Sequence, residues 1–158
     1  MGTRSAGLLL FREAGGDIEV LLVHPGGPYW VRRDEGAWSI PKGEIAEEED
    51  PLEAARREFA EETGAAAPAG EAVPLRPCRQ RGGKVVQAWA VRGDFDPAAL
   101  RSNTFTLEWP PRSGRRIEVP EVDRAAWFTL EAARTRILEG QEPLLRDLEE
   151  LIRRGRGR

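Results

Sequence analysis

The sequence predicts an α/β (α+β) fold, a mixed β-sheet with helices packed on it. Three observations predict it. Short apolar, β-compatible runs bounded by Gly- and Pro-rich turns outnumber the helical stretches. The segments with helical spacing are set among those runs rather than gathered at one end. The chain has 158 residues, about the length of one domain, and no internal repeat. One domain is therefore expected over 1–153, followed by a basic, flexible tail at 154–158.

The elements follow in order. Ala6–Phe11 and Ile18–His24 are apolar runs, and Ala14-Gly15-Gly16-Asp17 between them reads as a hairpin turn. Pro25-Gly26-Gly27-Pro28 breaks the second strand and opens a loop through Tyr29, Trp30, Arg32 and Arg33. Trp38–Ile40 reads as a short strand stopped by Pro41, and an acidic helix follows. Ala65–Pro77 is Ala/Pro-rich and only weakly strand-like, whereas Lys84–Val91, after Gly82-Gly83, reads as a long strand. A linker from Asp94 to Ser102 leads to a second hairpin, Thr104–Trp109 and Arg115–Val119 around a Pro-Pro-Arg-Ser-Gly turn. Ala126–Phe128 is a short strand, and Thr129–Leu138 and Pro143–Arg153 carry helical spacing.

Composition narrows the chemistry. The single cysteine, Cys78, excludes an internal disulfide framework and a cysteine-based zinc cluster. With His24 the only histidine, a His-rich metal site is excluded and a Ser-His-Asp triad disfavoured. The apolar run Ala6–Phe11 is too short to span a bilayer and lacks signal-peptide flanks, so a cytoplasmic protein without a membrane partner is expected. The net charge of −3 argues against a dedicated nucleic-acid binder. The charge is unevenly spread, however. Nine of the 27 acids fall between Glu44 and Glu62, against two bases, Arg56 and Arg57.

This acidic window is a helix with its own start and stop. Asp50 can cap free backbone N–H groups, Pro51 suits the first helical position, and Glu53 completes a capping box. Gly64 supplies the left-handed cap, so the helix is expected over Pro51–Glu62. With Glu58 at 0°, Leu52, Ala55 and Phe59 fall at about 120°, 60° and 100°, which is the buried stripe. Glu61 at about −60° and Glu62 at about 40° share the Glu58 side, where Ala54 leaves room. A solvated face is the ordinary reading of such a run. Two terms oppose it. Glu61 and Glu62 lie in the last turn, where the helix dipole disfavours negative charge by about 0.3–1 kcal/mol each. Glu58 and Glu62 are a repelling i,i+4 pair, and only Arg57 offers local compensation. Clustered carboxylates gain if a hard divalent cation sits among them, and Mg²⁺ takes a few carboxylates plus water and substrate phosphate.

From Gly43 the chain reads GEIAEEEDPLEAARREFAEETGA. This resembles the Nudix box: G, five residues, E, seven residues, REUXEEXGU, with U bulky and apolar. The fixed positions are Gly43, Glu49, Arg57, Glu58, Glu61, Glu62 and Gly64. Phe59 fills the first U, and Ala65, smaller than usual, fills the last. A match by chance at this composition is on the order of one in ten thousand. The lead-in WSIPKGE and the later EVDRAAWF are also similar to Nudix sequences, and the order of elements fits that fold, a mixed sheet sandwiched between helices.

The resemblance implies a Mg²⁺- or Mn²⁺-dependent pyrophosphohydrolase that cleaves a nucleoside diphosphate linked to X by metal-activated attack of water on phosphorus. By position, Glu58, Glu61 and Glu62 would be metal ligands and Arg57 would hold a carboxylate in place. Gly43 and Glu49 would shape the metal-binding loop, Glu49 reaching a metal through water. A carboxylate must take the water's proton. Glu61, Glu62 or an acid of the second half could do so. Among Glu108, Glu118 and Glu121, Glu121 is preferred, because its loop is similar to one that approaches the metals in relatives.

Lys42, one of two lysines, stands immediately before the box and is expected to contact phosphate. Tyr29 and Trp30 are expected to stack on a base, and Arg32, with Arg33, Arg79 and Arg81, could hold further phosphates. Trp89 reads as core, Trp109 as a further stacking candidate and His24 as structural. The markers of coenzyme A and NADH pyrophosphatases are absent, and those of ADP-ribose enzymes (a proline past the box) and of dinucleoside-polyphosphate enzymes (a tyrosine near the same point) are absent or displaced, Tyr29 being the only tyrosine. The PKGE lead-in resembles enzymes of dinucleoside polyphosphates or nucleotides, so a dinucleoside polyphosphate or a nucleoside triphosphate is the expected substrate. The alternatives are a non-catalytic nucleotide-sensing module and an RNA 5′-end pyrophosphohydrolase. A monomer or a homodimer fits the resemblance.

Overall fold

The computed structural model describes residues 3–156. Its organising element is β1 (Arg4–Ala14), the longest strand, buried along most of its length. A Gly15-Gly16 turn joins it antiparallel to β2 (Asp17–Pro25), with Ala14 opposite Asp17. The first half of β1 pairs instead with β3 (Lys42–Glu44). On its other edge β1 runs parallel to β6 (Val85–Arg92) in unbroken register from Arg4 to Phe11. The short strands β4 (Ala72–Pro74) and β5 (Cys78–Arg79) pair antiparallel with β6. β9 (Val122–Thr129) closes the opposite side against β2. One parallel ladder among antiparallel ones makes this seven-stranded sheet mixed. β7 (Thr104–Glu108) and β8 (Arg116–Pro120) form a separate two-stranded hairpin.

Both faces of the sheet are covered, which is why AGLLLF reads as a continuous apolar run. Ala6, Leu8 and Leu10 point to the face packed by α1 (Pro51–Thr63), where they meet Ala54, Ala55 and Phe59. Leu9 and Phe11 point the other way, toward α2 (Leu130–Arg136) and α3 (Glu142–Arg156), where Ala133, Leu144, Leu145 and Leu148 are buried. No described helix is long and apolar enough to cross a membrane.

The structure moves several boundaries. Trp38–Ile40 is not a strand. Ser39 makes one bridge to Val23, through bonds of 2.8 and 2.9 Å, and Trp38 bridges Ile137. The strand begins beyond the proline expected to stop it, because the Pro41 carbonyl still accepts from the Leu8 N–H at 3.2 Å and keeps the chain alongside β1. α2 stops at Arg136, since Ile137 turns extended (φ −73°, ψ 149°) to make its bridge. β9 extends well before Ala126 because β2 pairs with it as far as Val122. Of the expected 154–158 tail, 154–156 belong to α3, and 157 and 158 lie outside the described residues.

Candidate active site

α1 forms where its caps predict. The Asp50 side chain accepts from the Glu53 N–H, and Gly64, at φ 81°, ends the helix with its N–H on the Ala60 carbonyl. Burying Phe59 and Ala55 against β1 turns Glu58, Glu61 and Glu62 toward β3 and the start of β9.

Arg57 organises this edge. Its guanidinium binds Glu49 with two bonds (Nε to Oε2, 2.8 Å; Nη2 to Oε1, 3.0 Å), Glu58 at 2.9 Å and Glu61 at 3.1 Å, and reaches the Glu44 carbonyl at 3.1 Å. This planar fork meets three carboxylates at once, a task for which lysine lacks the geometry. Glu49 also accepts from the Ala46 N–H at 2.9 Å, so both its oxygens are engaged; the Arg57 bonds and then that N–H hold its carboxyl down to about 2. Its contacts are thus those of a brace for Arg57. Gly43 sits against Glu58 so closely that a Cβ there would overlap the carboxylate.

Glu58, Glu62 and Glu121 are pushed the other way. Burial raises Glu62 to about 8, opposed by the Lys42 N–H bond at 3.2 Å and the Lys42 charge. Glu58 is raised by burial and then by Glu61, and Glu121 by the same two causes. Glu121 joins the cluster through the backbone. Its N–H donates to the Asn103 carbonyl at 2.8 Å, and the Asn103 N–H donates to the Glu61 carbonyl at 3.0 Å. Its own carbonyl accepts from the Gly26 N–H at 3.0 Å. The start of β9, the root of the hairpin, the Gly26 loop and α1 are thereby strung together.

Among the described residues, no three His, Cys, Asp or Glu side chains converge to grip a metal as they stand. Arg57 holds oxygens of Glu58 and Glu61, and the Lys42 N–H holds one of Glu62. The donor set itself is carboxylate oxygen throughout, which suits Mg²⁺ or Mn²⁺ and not a soft metal. Carboxylates raised by burial and mutual repulsion are groups a hard cation would relieve.

Beside the cluster lies a cavity of about 170 Å³ lined by Lys42, Glu62, Ser39 and Trp30. Trp30 and Leu138 also line a larger one, of about 740 Å³, with Arg33, Gln80 and Arg81. Burial and then Lys84 lower the proton affinity of Lys42, and its ammonium forms no ion pair among the described residues. The expected substrate residues therefore divide. Lys42 and Trp30 line the cleft. Arg32 lines neither cavity, and its neighbour Arg33 takes that place, its guanidinium 5.5 Å over the Trp30 ring. Tyr29 packs edge-on against Trp109 at 4.9 Å and is 54% exposed. His24 is structural, its ring bonded to Asp123 and to the Arg33 carbonyl. Sequence reasoning missed Gln141. Fully buried, it accepts from the Ile40 N–H at 3.0 Å and donates to Ser39 and Gln80, tying the floor of the cleft to its rim. No local pattern signals it.

The model of the NUDIX domain matches residues 1–148. The chain belongs to the Nudix family. It is 40% identical over 65 residues to an RNA pyrophosphohydrolase of Bartonella henselae, covering 39% of this chain and 35% of that protein. To one of Caulobacter vibrioides it is 47% identical over 53 residues, 30% of this chain and 31% of that one. The chain thus spans about a third of the length of the curated relatives it matches. Among solved structures, a C. elegans Ap4A hydrolase binary complex superposes with a TM-score of 0.67 at 22% identity, covering 94% of this Nudix chain and 97% of that one. The NUDIX domain of Shewanella oneidensis NrtR, complexed with ADP ribose, gives 0.65 at 19% identity, covering 96% and 89%. At such identities the likeness speaks for the fold.

Proposed function

We propose that the protein is a Mg²⁺- or Mn²⁺-dependent pyrophosphohydrolase of a nucleoside diphosphate linked to X, with a dinucleoside polyphosphate or a nucleoside triphosphate as substrate. The observation that carries this reading is the Arg57 fork on Glu58 and Glu61, with Glu62 on the Lys42 N–H and Glu121 tied in through Asn103, beside a cleft that holds Lys42 and Trp30. Glu58, Glu61 and Glu62 offer the oxygens that would hold the cation. When bound, a divalent cation would neutralise charge on the substrate's phosphate oxygens and lower the pKa of water. Glu121, its proton affinity raised by burial and by Glu61, takes the proton of the water that attacks phosphorus as the anhydride bond breaks. Arg57 keeps Glu58 and Glu61 oriented, Lys42 faces the substrate's phosphates, and Trp30 stacks on its base.

A second reading is supported by the relatives' names. The curated relatives are RNA pyrophosphohydrolases, so the 5′ end of an RNA is a candidate substrate for the same carboxylates.

The test is phosphate release from nucleoside triphosphates, dinucleoside polyphosphates, ADP-ribose and 5′-triphosphorylated RNA, with and without Mg²⁺ or Mn²⁺. The expected result is metal-dependent turnover of one class, reduced at least about a hundredfold by Glu58→Gln with the fold intact. Turnover that survives Glu58→Gln, or that ignores chelation of the metal, would overturn the assignment.

A further inference from the structure

The β7–β8 hairpin has no task in the chemistry above. Strand alternation puts Phe105, Leu107 and Trp109 on one face, and the register sets Val119 opposite Phe105 and Ile117 opposite Leu107. Only Val119 is buried; Phe105 is 39% exposed and Ile117 36%. A two-stranded ribbon is marginal by itself, so an apolar face left in water needs an occupant. Tyr29, against Trp109, continues that face into the loop beside the carboxylates.

The far end of the hairpin is basic. Arg112, Arg115 and Arg116 are exposed, and none forms an ion pair among the described residues. The two acids of the ribbon are engaged locally: Glu108 accepts the Arg112 and Gly114 N–H groups across the turn, and Glu118 accepts from Thr104. With Arg32 and Arg33, the segments 26–33 and 104–120 hold five arginines against two glutamates, a surplus of three positive charges in a chain whose net charge is −3.

We propose that this arm, with Tyr29, is a docking surface for single-stranded polynucleotide and leads the strand's 5′ end to the carboxylate cluster. Exposed rings toward the root of the arm and arginines without ion-pair partners at its tip offer a single strand both of its contacts, bases on the rings and phosphates on the guanidiniums. Direction comes from the roots. Asn103 and Glu121 are bonded to each other, and Asn103 to the Glu61 carbonyl, so the arm rises from the catalytic edge of α1. Its five-residue strands reach about 17 Å outward, on the order of five stacked nucleotides, beyond what a mononucleotide in the cleft could touch. A second copy of this chain would bury the apolar face but bring another set of arginines to the basic end. For the fate of the bound 5′ end, the inference rests on the pyrophosphohydrolase reading; binding itself does not.

The experiment uses a 3′-fluorescent, 5′-triphosphorylated single-stranded RNA of about 20 nucleotides and the Glu58→Gln chain, followed by anisotropy from about 50 to 200 mM salt. The triple substitution Arg112→Glu, Arg115→Glu, Arg116→Glu should weaken binding at least about tenfold, and the triple Gln version should lower the salt slope by about 2, or 0.7 per lost phosphate contact. On an otherwise unaltered chain the same substitutions should leave hydrolysis of a dinucleoside tetraphosphate within about twofold, since the arm lies beyond its reach, while slowing turnover of the RNA. RNA binding that is absent at low salt or indifferent to both triple variants would overturn the proposal. So would a dimer in sedimentation that the variants dissociate without changing RNA affinity. Arm-dependent RNA binding with no hydrolysis of any substrate would leave the docking surface standing and sink the catalytic reading.

Discussion

Gly43→Ala separates the geometry of the carboxylate cluster from the stability of the fold. A Cβ at position 43 would overlap the Glu58 carboxylate, meeting Cδ and both oxygens. Those atoms are the end of a flexible side chain, and Gly43 is not among the positive-φ positions, so the backbone accepts alanine without strain. To restore ordinary van der Waals contact, which begins at 3.4 Å, the carboxylate must retreat by about an ångström or more. That movement breaks the 2.9 Å bond from Arg57. Loss of one partly solvated, charge-assisted bond costs about 1 kcal/mol, which for a chain of this size is a fall in Tm of about 2–4 °C. The chemistry suffers more, because a displacement of about 1 Å at a catalytic constellation costs about a hundredfold, or about 2.7 kcal/mol of transition-state stabilisation. The assay is kcat/KM for the turned-over substrate alongside thermal unfolding of the same preparation. A Gly43→Ala protein with wild-type Tm and activity within about threefold would refute the reasoning, since Glu58 would then have no position the reaction depends on.

Two further outcomes are expected. Trp30→Ala, which opens both cavities to each other, should raise KM about tenfold or more through the lost base stack and leave kcat nearly unchanged; a fall in kcat with constant KM would place Trp30 in the chemistry instead. Glu62 carries a proton in the folded, metal-free protein up to about pH 8, whereas the same carboxyl at its ordinary value of 4.5 is ionised in the unfolded chain. The folded carboxyl has the higher pKa, so its contribution to stability is full below 4.5 and is lost as pH rises to about 8. Metal-free Tm should therefore fall across that window, and Mg²⁺, which displaces the proton, should bind up to about tenfold more tightly per pH unit. A metal affinity flat in pH, measured by calorimetry, would contradict this.

What the sequence made legible was whatever is decided locally. The ends of α1 are written in Asp50, Pro51 and Gly64, and its buried stripe in the spacing of Ala55 and Phe59, so helix and acid cluster were readable to within a residue at Thr63. β3 was not readable, because Lys42–Glu44 is a strand only by virtue of Ser5–Gly7 lying alongside, and no pattern in three residues announces a partner some forty positions away. The extra length of β9 has the same cause in β2. In the cleft, Lys42 and Trp30 stood out by rarity and by loop context. Arg33 and Arg81 were legible only as two of four candidate arginines, since 22 arginines look alike until the chain brings two of them to one cavity. Glu121 was reachable only through the resemblance of its loop. Its distance in sequence from Glu61 is closed by two backbone hydrogen bonds through Asn103, which no side-chain pattern encodes.

The cluster is a place where local rules are broken and the rest of the fold absorbs the cost. Three acids stand on one side of the last turns of a helix with no basic residue in its last turn, against the dipole and against one another. Arg57 relieves two of them but leaves Glu62 in a buried site facing Lys42, where charge is disfavoured for both. Such an arrangement persists only if the elements holding it are stable without it. They are: α1 is pinned by Phe59, Ala54 and Ala55 to the central strand, and Lys42 follows a segment held by the fully buried Gln141 from the opposite layer. The unfavourable charge thus resides in side-chain ends, while the backbone that aims them is fixed by the two cores on either side of β1.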